Sequence, residues 1–218
     1  MHFLDAWTEL SFLDLGRLLA PIAMIVAATF LPGARTVRFT ALGVALLLPL
    51  LGELALPLGW TLAWSALWIA IAWWGSGKGE GEPRAITRAR GALESGTVGL
   101  GLGLALIAFL GAAVVRQDLS PEDARRTSWG LLVLGTGYLN LMLRRHLRRA
   151  ALAFGAMGLG LQVLHGAARG VQLPDELPPA GALWLATAVA AGPALRLGWL
   201  RERTTGSAWV NDAHDLHD

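Results

Sequence analysis

The chain has 218 residues, of which 54% are hydrophobic and 16% charged, with a net charge of +2 and no cysteine. Soluble domains carry about 25% charged residues, and a water-soluble protein of this size has no core large enough to hide so much apolar surface; the mean hydropathy is +0.50. The absence of cysteine excludes disulfides, thiolate chemistry and a self-ligated iron–sulfur cluster, and so small a net charge gives no reason to expect nucleic acid.

Residues 1–14 read as an amphipathic lead-in, because Asp5, Glu9 and Asp14 stand where a secretory signal would be basic. A helix needs about 20 apolar residues to cross roughly 30 Å of hydrocarbon. Seven segments meet or approach that length: 15–31, 37–56, 58–75, 95–115, 128–143, 150–168 and 180–195. Strands of a membrane barrel would alternate apolar and polar residues. Runs such as 41–51 and 100–110 do not, so the fold class is an all-α integral membrane protein. Pro32 and Gly33 end the first segment, and Pro57 divides the second from the third. Residues 78–83 read as a flexible polar loop. Ser120, with Pro121, Glu122 and Asp123 after it, resembles the N-cap of a short helix. Pro174, Pro178 and Pro179 separate the last two segments, and Pro49 and Pro193 are candidate breaks within the second and seventh.

Lysine and arginine give the predicted spans a direction. With the N-terminus outside, the cytoplasmic segments hold Arg35, Arg38, Lys78, Arg84, Arg88, Arg90, Arg144, Arg145, Arg148, Arg149, Arg196, Arg201 and Arg203. The outer segments hold only Arg17, Arg116, Arg125, Arg126 and Arg169. This positive-inside bias favours an outer N-terminus and a cytoplasmic C-terminus. The pI of about 9.9 then reflects arginine loops against anionic lipid headgroups.

Ionisable or polar groups within a bilayer are costly and so are functional candidates. Glu53, Asn140 and the pair Gln162 and His165 are the candidates for a proton or ion path, although each also fits a side chain reaching an interfacial water layer. Gly99 and Gly103 are four apart and Gly155 stands four after Ala151, spacings that suit close helix packing, and Gly158 joins them as a packing candidate. Trp60, Trp64 and Trp68 share one helix face, and with Trp73 and Trp74 they read as an interfacial belt plus a lipid- or subunit-facing ridge, with a stacked flat ligand as the alternative. Residues 75–79 lack the spacing and the following Ser or Thr of a phosphate loop. His146 and His165 lie near opposite faces, which argues against haem, and the tail bearing His214 and His217 reads as solvated. No metal site and no cofactor is expected.

Residues 138–149 combine a helix end, a basic hairpin (Arg144, Arg145, Arg148, Arg149) and the start of another helix. This resembles the hairpin of the small K subunit of complex I and of hydrogenase-4 component E. The segment 201–212, a basic stretch followed by Gly206, Ser207 and Ala208, is similar to the end of component E. The resemblance covers residues 131–218. It implies a four-helix half over 15–127, a K-like three-helix unit over 128–200 and a cytoplasmic tail over 201–218. It further implies an accessory, non-redox subunit of an ion-translocating respiratory assembly in a bacterial cytoplasmic membrane, within a hetero-oligomer beside antiporter-like multi-span subunits. The family carries a glutamate in the helix after the hairpin; Gly158 falls at that position, so the resemblance implies a scaffold rather than a proton carrier. A self-contained transporter and a structural subunit of another bioenergetic complex are the other readings.

Overall fold

The computed structural model describes residues 5–8, 10–30, 34–54, 56–75, 105, 120–143, 146–169, 177–206 and 208. The helices among them are α1 (Asp5–Thr8), α2 (Phe12–Phe30), α3 (Ala34–Leu47), α4 (Leu58–Gly75), α5 (Pro121–Leu143), α6 (Leu147–Arg169) and α7 (Leu177–Thr205). Two 3-10 turns, Leu48–Leu50 and Gly52–Leu54, follow α3. No strand occurs among the described residues, so the chain is all-helical there. Helices stand at six of the seven predicted positions; the segment 95–115, with Gly99 and Gly103, lies outside the described residues except for helical Ala105. Among the described residues two helices are long and apolar enough to cross a membrane, over Leu147–Ala167 in α6 and Ala180–Thr204 in α7.

Local chemistry explains the helix ends. Ser120 caps α5: its Oγ accepts from the Asp123 N–H at 3.2 Å and donates to Asp123 Oδ2 at 2.8 Å. Arg126 then folds back on Glu122 and Asp123, at 3.2 and 3.0 Å. α5 is therefore one continuous helix from Pro121, where the sequence pointed to a short helix and a separate span from 128. Arg126, which looks like a loop residue in the sequence, is thus neutralised on its own helix. The same Ser-x-x-Asp-x-x-Arg device opens α2: Ser11 Oγ accepts from the Asp14 N–H, and Arg17 lies 3.4 Å from Asp14.

Pro49 and Pro193 act differently. Pro49 lacks the N–H that would bond the Ala45 carbonyl, and α3 gives way to a 3-10 turn there. The freed carbonyl accepts from Ser65 Oγ of α4 at 3.0 Å, a buried bond. α7 runs on through Pro193, which is exposed.

Contacts between helices fix a bundle with two ends. At the near end, where α2 begins, Trp7 Nε1 donates to Ser128 Oγ at 3.0 Å, Trp129 Nε1 to the Leu18 carbonyl at 2.8 Å, and Trp184 Nε1 to the Ala63 carbonyl at 3.0 Å. At the far end, where α2 stops, Arg149 meets the Ala28 carbonyl and Arg148 meets Glu202. α2, α4, α5 and α7 thus run one way, and α3 and α6 run back. The core between them contains Ile25, Val44, Trp64, Trp68, Ile71, Trp129, Leu152 and Leu159. Trp64 and Trp68 are wholly buried, which corrects the expectation of a lipid-facing ridge; their shared face turns inward.

Candidate functional site

The basic hairpin is where sequence and structure meet most informatively. α6 begins at Leu147 directly after it, so helical geometry turns Arg148 and Arg149 towards different neighbours. Both side chains are buried, rather than spread on the surface as headgroup-facing arginines would be. Arg149 Nη1 donates to the carbonyl of Ala28 in the last turn of α2. That carbonyl has no intrahelical partner, and a cation there also suits the negative end of the helix dipole. Arg148 Nη2 pairs with Glu202 Oε2 in the last turns of α7. The Leu147 N–H donates to the Ala208 carbonyl at 3.2 Å, which brings the segment after α7 back to the same point. Gly198 makes room for this: a methyl group there would lie 2.9 Å from Arg148 Cγ. The start of α6 is therefore a hub joining the far ends of α2 and α7. Arg144 and Arg145 lie outside the described residues.

A glycine seam holds α6 to its neighbours. A methyl group on Gly160 would stand 2.7 Å from the Gly130 carbonyl oxygen, and one on Gly137 2.9 Å from that of Ala153, so α5 and α6 touch backbone to backbone. Gly155 receives Ile71 and Trp68 of α4; a methyl there would meet Ile71 Cδ1 at 2.9 Å. Gly158 faces Thr187 of α7 so closely that a methyl group would overlap Thr187 Oγ1 and lie 2.7 Å from its Cγ2. Gly155 and Gly158 thus sit at helix contacts. Gly130, Gly137, Gly160 and Gly198 were missed, although Gly130 and Gly137 are seven apart on one face and signalled it.

The path candidates do not form one constellation. Asn140 is buried in α5, and neither its Oδ1 nor its Nδ2 has a hydrogen-bond partner among the described residues. Gln162 is buried on α6, with Oε1 likewise unpartnered, and His165 is half-buried one turn on. Burial corrects the reading of Asn140 and Gln162 as side chains reaching an interfacial water layer. They are also apart: Gly137, one turn before Asn140, meets Ala153, whereas Gln162 follows Gly160, which meets Gly130. Glu53 stands in the Gly52–Leu54 turn, and its side chain lies outside the described residues.

No group of three or more His, Cys, Asp or Glu side chains that could hold a metal occurs among the described residues. The arrangement is built to fasten helices, with two buried arginines and a glycine seam as its fixed points. Comparison with known proteins finds no matching family model, curated protein or solved structure.

Proposed function

We propose that the chain is an accessory, non-redox membrane subunit of a complex-I-like ion-translocating assembly, similar in role to hydrogenase-4 component E. In this reading it spans the cytoplasmic membrane of a bacterium seven times, with its C-terminus inside, and scaffolds larger antiporter-like subunits.

The observation that carries the reading is the unit α5–hairpin–α6–α7. Its three antiparallel helices, Pro121–Leu143, Leu147–Arg169 and Leu177–Thr205, flank and follow the basic hairpin, which is tied to the bundle through Arg148 and Arg149. Gly158, which stands where the family has its glutamate, is a contact point with Thr187 and leaves no room for a carboxylate. That favours scaffolding over proton carriage by this chain. Helix direction supports the seventh span. Gly75, at the end of α4, packs on Val37 at the far end, whereas α5 starts at the near end beside α2. The two points that residues 76–119 join thus lie at opposite ends of the bundle, which supports a further span over 95–115. Surface supports the partners: Leu46, Leu62, Ile69, Leu132, Leu161, Leu185, Val189 and Leu197 are exposed. Side chains of this kind need lipid or other apolar helices around them.

Purification from native membranes in mild detergent tests the proposal. The expected result is co-purification of large multi-span subunits and of a redox module; a chain recovered alone, and active alone in ion or solute flux, refutes it. Reporter fusions after residues 78, 146 and 218 test the topology, all three being expected on the cytoplasmic side.

A further inference from the structure

At the far end an open groove of about 430 Å³ lies between α4 and α7, lined by Trp74, Gly192, Leu195, Arg196 and Trp199. Leu195 is its buried floor, and Trp74 and Trp199 are exposed walls. Gly192 opens the groove further, since nothing lies within 4 Å of where its methyl group would be. Arg203 stacks on Trp199, its guanidinium 3.7 Å from the ring centroid. Arg196 and Arg203 have no ion pair among the described residues, and the nearby Glu202 is taken by Arg148.

The groove continues a stripe along α7. Leu185, Val189, Gly192, Arg196, Trp199 and Arg203 recur at helical spacing and are all exposed. The stripe is apolar as far as Gly192 and then carries guanidinium groups, Arg196 and Arg203, on either side of the Trp199 indole. Leu185 and Arg196 are separated by about 17 Å at 1.5 Å per residue, about half of a hydrocarbon core roughly 30 Å thick. One membrane leaflet has this depth and this polarity: acyl chain, then interface, then phosphate.

We infer that this face of α7 holds an anionic phospholipid of the inner leaflet, with its phosphate on Arg196 and Arg203, its glycerol region between Trp74 and Trp199, and an acyl chain along Val189 and Leu185. Charge and depth complementarity select this occupant. Basic pockets between membrane helices on the cytoplasmic side suit such headgroups. The inference rests on the membrane reading above and on the C-terminus facing inward.

The test uses the full chain in phosphatidylcholine vesicles with a trace of brominated phosphatidylglycerol or brominated phosphatidylcholine. The quenching read is the part lost in W74F and in W199F. The expected result is saturable quenching with preference for the glycerol lipid, falling about fivefold in R196Q at roughly one headgroup interaction per arginine, and retained in R196K. Equal quenching by the two lipids, or an unchanged preference in R196Q, overturns the inference. So does quenching of other tryptophans but not of Trp74 and Trp199, which would mean that residues 76–119 or a second copy cover the groove. A chain that does not float with the vesicles fails the membrane reading instead, and flotation is scored separately.

Discussion

Gly158 offers the sharpest test of how α6 meets α7. Replacing it by alanine puts a methyl carbon 2.7 Å from Thr187 Cγ2 and 2.8 Å from Thr187 Cβ, where carbon atoms prefer about 3.5–4.0 Å. Thr187 cannot turn away freely, because its Oγ1 donates to the Leu183 carbonyl at 2.8 Å. Overpacking of this kind costs about 1–3 kcal/mol, and alanine returns about 1 kcal/mol of helix propensity over glycine. G158A is thus expected to destabilise by about 1 kcal/mol, or a fall of roughly 2–4 °C in Tm for a chain of this length. In a T187G background the obstruction is gone and only the propensity gain remains, so the same substitution should stabilise. The assay is a double-mutant cycle of thermal unfolding in detergent, with a coupling energy of about 1–3 kcal/mol expected for touching residues. Stabilisation by G158A in both backgrounds would refute the close approach, and with it the argument that no carboxylate fits there.

The remaining predictions concern the other fastenings. S65A should leave the Ala45 carbonyl, already deprived of a donor by Pro49, buried without a partner; a loss of about 1–3 kcal/mol is expected in unfolding, against little change for the exposed control A66S. E202A should strip the buried Arg148 of its carboxylate at a cost of about 3–5 kcal/mol, whereas R148M/E202L should be close to neutral; equal losses in the two variants would count against a buried pair. W129F removes the indole donor to the Leu18 carbonyl and should cost about 1 kcal/mol or more, read as a lower midpoint in denaturant titration.

Helix positions were legible because uninterrupted apolar runs leave little choice of structure. The third predicted segment, 58–75, coincides with α4, since Pro57 precludes an earlier turn and Gly75 with Ser76 and Gly77 ends the run. The start of α5 was misplaced because Arg125 and Arg126 read as loop residues, although Ser120 and Asp123 already marked the cap. Spacing put Trp64 and Trp68 on one face, but could not say which way it turned. α4 is apolar all round, and a helix without a polar face carries no signal of orientation. The hub at Arg148 was illegible for another reason. Its partner Glu202 is 54 residues away, and nothing local distinguishes an arginine that will be paired inside the bundle from one that will meet lipid phosphate.

The fastenings also bear on the choice between a scaffold and a transporter. Alternating access needs one set of helices to rock against another about a central site. Here α4 is tied to α7 at the near end through Trp184 and Ala63, and α2 to α5 through Trp129 and Leu18. At the far end α2 is tied to α6 through Arg149, and α6 to α7 through Arg148. Between the ends, Gly130 and Gly160 bring α5 and α6 into backbone contact, which fixes their crossing point. A rocking motion would break buried bonds at one end in each half-cycle, and each broken bond would leave a carbonyl or a guanidinium without a partner where water is scarce, at about 1–3 kcal/mol apiece. α7 presents a broader open face than α6, its span being 28% buried against 61%. That asymmetry suits a rigid bundle which offers one helix to its surroundings.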